Sequence, residues 1–122
     1  MSKPIRAIVL VAALLSFLPA QAQFLGLGLG LETNIELTKQ DLAIIRHTVN
    51  MEVHGKPVGT TAKWSNPGSG NYGKIELLKK FLQNGQPCET VEYTLATKRL
   101  PVRPEHYVLN SCLQPDGQWR II

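Results

Sequence analysis

Cys88 and Cys112 are the only cysteines of the 122-residue chain, and neither has the spacing of a metal or redox centre. There is no Cys-x-x-Cys, and no histidine stands at zinc-finger distance from either thiol. Two thiols in an oxidising compartment are expected to close one disulfide. The imidazoles are His47, His54 and His106. His47 and His54 would share one helix face two turns apart, about 10 Å, beyond the reach of a single ion. His54 would then sit at a helix C-terminus, where a positive ring is favoured. Ser65, Ser69 and Ser111 supply hydroxyls, but there is no G-x-S-x-G elbow and no spacing that gathers nucleophile, base and acid. No catalytic residue, metal ligand or cofactor site is expected, and the chain is read as not an enzyme.

The elements that position these residues begin with a helix. Thr38 is its expected N-cap, Asp41 takes the capping-box position three residues on, and Leu37 with Leu42 occupy the two sites of a hydrophobic staple. Leu42, Ile45, Val49 and Val53 then recur at helical spacing until Gly55 and Pro57 stop the run. From Val58 onward the pattern changes to period two. Strands are expected at 58–64, 73–82, 88–97, 105–113 and 118–122, separated by the Ser-Asn-Pro-Gly-Ser-Gly-Asn cluster of 65–71, Asn84-Gly85, the proline-marked 100–104 and Asp116-Gly117.

A two-residue turn at Asn84-Gly85 places Phe81 opposite Cys88, Lys80 opposite Glu89 and Leu78 opposite Val91. If Cys88 faces Cys112 on the next strand, Val91 meets Leu109 and Tyr93 meets Tyr107. Leu78, Val91 and Leu109 then form a row on the face that the helix would cover. Directly opposed cysteines on antiparallel strands lie within disulfide range. Closing that loop of about 25 residues stabilises the fold by roughly 3.5 kcal/mol on the chain-entropy treatment. Of the aromatic residues with a polar tip (Trp64, Tyr72, Tyr93, Tyr107 and Trp119), most are expected in the core, with Trp119 anchoring the last strand. The fold class is therefore α+β: one N-terminal helix on a five-stranded antiparallel meander, with one cross-strand disulfide.

The first residues address the chain for export. Lys3 and Arg6 precede an apolar run of twelve, 7–18, and Ala20-Gln21-Ala22 completes a signal-peptidase site. Twelve helical residues rise about 18 Å, short of a hydrocarbon core roughly 30 Å thick. Residues 1–22 are expected to be cleaved, 23–36 to form a Gly/Leu-rich flexible lead-in, and 37–122 to fold. Gln23, not cysteine, follows the cleavage site, so no lipid anchor and no transmembrane span are expected in the mature chain. Cleavage removes Lys3 and Arg6 from thirteen basic residues, leaving eleven against nine acidic ones, a net charge of +2 in place of +4. Those charges are scattered, which argues against nucleic acid as a partner.

Several spaced elements resemble a known family. Trp64-Ser-Asn-Pro-Gly-Ser-Gly-Asn-Tyr-Gly, then Gly85-Gln-Pro-Cys88 with Tyr93, then Cys112-Leu-Gln-Pro-Asp-Gly-Gln-Trp119 are similar in order to the surface-antigen domain of the rickettsial 17 kDa outer-membrane antigen family. The resemblance covers roughly 56–122. It implies an envelope-associated β-rich domain and transfers no catalytic residue. Two features depart from it: the lipidated cysteine is missing, and the Leu-Gly repeat at 25–31 is at most a remnant of a glycine zipper. The expected function is a non-enzymatic protein of the periplasm or cell surface, acting by binding or structural contact on an envelope protein or cell-wall component. The alternative is a periplasmic inhibitor or small-ligand-binding module. In either case the loop at 66–72, with Asn66, Asn71 and Tyr72, and the loop at 100–104 would present the contact residues.

Overall fold

Thr38 and Asp41 bind each other across the first helical turn: the Asp41 N–H donates to Thr38 Oγ1 at 3.0 Å, and the Thr38 N–H donates to Asp41 Oδ2 at 2.9 Å. That capping box starts helix α1, Lys39–Glu52. The computed structural model describes residues 34–122. The signal peptide expected at 1–22 and most of the lead-in expected at 23–36 lie outside the described residues. Leu42, Ile45 and Val49 are buried along one side of α1, with Val53 continuing the stripe beyond its end. The helix closes as the N–H groups of Val53 and His54 both donate to the Val49 carbonyl, before Gly55 turns the chain at φ +79°.

Five strands follow in an uninterrupted antiparallel meander, β1 Thr61–Asn66, β2 Asn71–Gln83, β3 Gln86–Thr97, β4 Glu105–Leu113 and β5 Trp119–Ile121. Asn84 and Gly85 make the β2–β3 turn with φ of 52° and 76°, the positive pair a twist-matched hairpin requires. The Cys88–Cys112 disulfide joins directly opposed positions of β3 and β4, with Cα atoms 4.0 Å apart. The fold and the staple are those read from the sequence.

The register differs at one point. Phe81 meets Cys88 and Lys80 meets Glu89 as expected, but Val91 is opposite Leu77 and not Leu78. A β-bulge between Leu77 and Lys79 inserts Leu78 as an extra residue, which turns it outward while Leu77 is completely buried. The physical cause is the pleat: without the bulge, the turn-fixed register would put Ile75 and Leu77 on the wrong face. The row that crosses the core face is Leu77, Val91 and Leu109, flanked by Ile75, Tyr93, Leu95, Ala62 and Trp64.

Trp64 stands opposite Gly73 in the β1–β2 pair. A Cβ at Gly73 would run into the Thr94 carbonyl and lie 2.8 Å from Trp64 Nε1, so the indole and the neighbouring backbone occupy space that only glycine leaves. Of the expected lead-in, the described residues include Asn34, Ile35 and Glu36; Ile35 is buried, and the Glu36 carbonyl accepts from Asn71 Nδ2.

Candidate functional site

Two buried carboxylates, one in the first turn of α1 and one beyond its C-terminal end, organise the polar chemistry of the domain. Asp41 sits in the first turn of α1, facing the glycine-rich β1–β2 loop. Its Oδ1 accepts from Asn66 Nδ2 and Ser69 Oγ, each at 2.7 Å; its Oδ2 accepts from Asn71 Nδ2 at 2.7 Å as well as from the Thr38 N–H. Burial alone would raise its pKa, but the bonds from Ser69, the Thr38 backbone, Asn71 and Asn66 outweigh it and hold the carboxyl below its ordinary value. The same side chains also shape the loop. Asn66 Oδ1 accepts from the Gly68 N–H at 3.0 Å, and Ser69 Oγ accepts from the Asn71 N–H at 3.1 Å. Arg99 clamps the outer side by donating to the Gly68 carbonyl at 2.8 Å.

This arrangement divides the contact residues expected in the loop. Asn66 and Asn71 point inward and are buried, occupied by Asp41. Tyr72 faces out, 40% exposed, with Lys98 Nζ 5.9 Å from its ring centroid. Ser65, Pro67, Gly70, Tyr72 and Lys98 line a shallow depression of about 250 Å³. What the loop offers a partner is thus Tyr72, Lys98 and exposed backbone.

Beyond the other end of α1, Glu89 of β3 is buried on the core face. Its Oε1 lies 2.7 Å from His54 Nδ1, and its Oε2 accepts from the Gly55 N–H at 3.0 Å. Trp119 stacks on the His54 ring with centroids 4.5 Å apart and planes 6° from parallel. Trp119 therefore anchors β5 as expected, through an imidazole. Burial pushes the His54 pKa below its ordinary value, against the opposing pull of the Glu89 carboxylate. Burial, reinforced by that carboxylate, also drives the Tyr93 hydroxyl well above the usual phenol value.

His54 is thus not the solvated helix-end cation its position suggests, because Glu89 holds it inside. Glu89 in turn does not pair with Lys80, its cross-strand neighbour, whose side chain is exposed. The signal for Glu89 lies in the period-two pattern, which puts it on the same face as Val91, Tyr93 and Leu95 and so marks it as a charge on the core side.

A carboxylate-oriented histidine is two parts of a hydrolytic triad, but the third part is not assembled. Ser111 is buried opposite Glu89, and among the described residues no hydroxyl or thiol is hydrogen-bonded to the His54 ring. His47 is exposed on α1, and His106 of β4 pairs with Thr94 at 3.1 Å. Among the described residues no group of three or more His, Cys, Asp or Glu side chains is placed to hold a metal ion, and no helix is long and apolar enough to cross a membrane. Beside Glu89 and Trp119, an open groove of about 440 Å³ is lined by Lys80, Phe81, Leu82, Pro87 and Leu113.

The chain is 32% identical over 87 residues, 70% of its length, to the 17 kDa surface antigen of Rickettsia bellii and equally to that of Rickettsia conorii. The corresponding protein of Rickettsia prowazekii is 32% identical over 85 residues. The resemblance read from the loop and cysteine motifs is borne out by these proteins. The match takes in 53% of the R. bellii protein, so the chain spans about half the length of the curated relatives it matches. No family model and no solved structure matches the chain.

Proposed function

We propose, with the similarity to the rickettsial 17 kDa surface antigens as premise, that this is an exported envelope protein whose domain acts by non-enzymatic contact. The observation that supports this reading most directly is that similarity, in proteins named for their exposure at the surface. The closed state of both polar clusters agrees with it: the oxygens of Asp41 and Glu89 are taken up inside the fold, where they hold loops in place. In this reading residues 1–22 are removed after Ala22, residues 23–36 lead into the domain, and 37–122 carry the contact surface. That surface is the end of the domain at Tyr72, Lys98 and the loop 66–72, held rigid from within by Asp41, and its partner is an envelope protein or a cell-wall component.

Intact-mass measurement of protein recovered from the envelope fraction should give a chain beginning at Gln23 and lighter by two hydrogens for the disulfide. Protease shaving of whole cells should then separate a surface location from a periplasmic one. Recovery of the chain in the cytoplasm with residues 1–22 attached would defeat the proposal.

One observation favours a second reading, a small-ligand binder: the groove beside Trp119, Phe81 and Leu113 is apolar and carries Lys80 at its rim. A ligand seated there would quench or shift Trp119 fluorescence, and Trp119→Phe would abolish that signal.

A further inference from the structure

The outer side of β4 is only half covered. β5 pairs with Ser111, Cys112 and Leu113, and the Ile122 N–H donates to the Asn110 carbonyl at 3.0 Å. The N–H and C=O of successive strand residues point to opposite sides. Asn110 faces β5, so Val108 and His106 face the same way, and among the described residues no strand lies along them. The alternate residues Glu105, Tyr107 and Leu109 face β3, to which the whole of 105–112 is paired. Among the described residues, a row of main-chain donors and acceptors is therefore left without a strand partner over 105–109, with only the Asn34 N–H reaching the Glu105 carboxylate, at 3.4 Å.

Among the described residues, the usual safeguards of an outer strand stop at Pro104 and Glu105, at the start of this stretch. Natural edges are blunted by lysine, proline, bulges or a covering element. β1, the other outer strand, carries Lys63 at its middle and has α1 packed against it. The stretch Glu105-His-Tyr-Val-Leu109 has no lysine, proline or glycine, and its pairing with β3 is regular. It is also flanked by exposed apolar side chains: Val108 is 54% exposed, Ile122 58% and Ile121 37%.

The bare stretch is self-complementary. Two copies laid antiparallel about Tyr107 bring His106 of each against Val108 of the other, so the outward N–H and C=O groups of both residues are satisfied in four main-chain bonds. Tyr107 then meets Tyr107 in a close, non-hydrogen-bonded pair, a favourable cross-strand combination of aromatic rings. Glu105 lies against Leu109, so no like charges are opposed. The next position, opposite Asn110, is already filled by Ile122. Five open positions thus receive a five-residue partner, bounded at each end by β5 of one copy. The geometry points to an isologous dimer of this chain, formed by antiparallel pairing of β4 with β4 across residues 105–109, which joins two five-stranded sheets into one. The pairing stands on the backbone and holds wherever the protein resides.

The full chain, expressed and recovered as its cells process it, should show a concentration-dependent monomer–dimer equilibrium in analytical ultracentrifugation. Amide exchange at His106 and Val108 should slow as the dimer fills, while Tyr107 and Leu109, bonded to β3, stay protected throughout. Val108→Pro deletes an N–H that points away from β3, so it removes two bonds per dimer and should weaken association at least about tenfold. Val108→Lys should do the same by charging the edge, and it alone is read if the proline variant melts early. A monomer at every concentration, a dimer indifferent to both substitutions, or one in which the His106 and Val108 amides exchange no more slowly than in the monomer would overturn the inference.

Discussion

Asp41 and Glu89 are both buried carboxylates, one in the first turn of the helix and one beyond its C-terminal end, yet they are neutralised in different ways. Asp41 is surrounded by neutral donors: two amides, a hydroxyl and a backbone N–H, at the positive end of the helix dipole. Glu89 has an imidazole and one backbone N–H. The first set cannot titrate near neutrality, whereas the second contains a group that can. The β1–β2 loop is thus held by a network indifferent to mild acid, and the His54–Trp119 end by one that responds to it.

The largest expected effect comes from breaking the Asp41 side. Asp41→Ala removes the shared acceptor of Asn66, Ser69, Asn71 and the Thr38 N–H. Ser69 keeps a longer bond to the Asn66 carbonyl and Asn71 its bond to the Glu36 carbonyl, but each buried N–H left unpaired costs about 1–3 kcal/mol. A loss of at least about 3 kcal/mol is expected in urea unfolding. A loss under about 1 kcal/mol would show that the loop holds without its carboxylate.

Next is the disulfide, which closes a separation of 24 residues and adjoins Glu89. Reduction should cost about 2–4 kcal/mol. Hydrogen exchange should rise around Gly55, Glu89 and Trp119 while the amides of Gly68 to Asn71 keep their protection. Equal loosening at both ends would erase the distinction between them.

The acid response is smaller and separates the two ends by pH. His54 has a lowered pKa in the fold, so the unfolded chain binds the extra proton first. Its contribution is present above the ordinary value of 6.5 and is lost as pH falls from there through the lowered folded value. Asp41 behaves likewise from 3.8 downward. The unfolding free energy should therefore decline in two steps, each no steeper than about 1.4 kcal/mol per pH unit for one proton, read by urea unfolding across pH. His54→Gln should remove the upper step and spare the lower. Persistence of the upper step in that variant would assign it to another group.

The smallest effect is at Tyr72. Because its ring is exposed, Tyr72→Ala should change stability by under about 0.5 kcal/mol, yet it should weaken retention on envelope material if the loop is the contact surface. Unchanged retention would remove Tyr72 from that role.

The sequence by itself determined what depends on short-range geometry. Thr38 and Asp41 sit at the one spacing that closes a capping box, Leu42, Ile45, Val49 and Val53 share a helical face, and Asn84-Gly85 admits the positive φ pair of a tight hairpin. That turn also set Phe81 against Cys88, whereas the register of β3 on β4 followed from the sequence only on the condition that Cys88 faces Cys112, which the structure meets. Only the tertiary structure decided where that counting slips and which partner a polar side chain takes. The bulge at Leu78 answers to the burial of Leu77, a demand made by β3 and the core, not by β2. Asn66 and Asn71, typical of an exposed turn, point inward because Asp41, 25 and 30 residues away, accepts from them. Glu89 leaves its neighbour Lys80 for His54, 35 residues distant, because its face of the strand is the buried one. Local signals constrain backbone angles, whereas a buried charge takes its partner from whatever the completed fold brings within bonding distance.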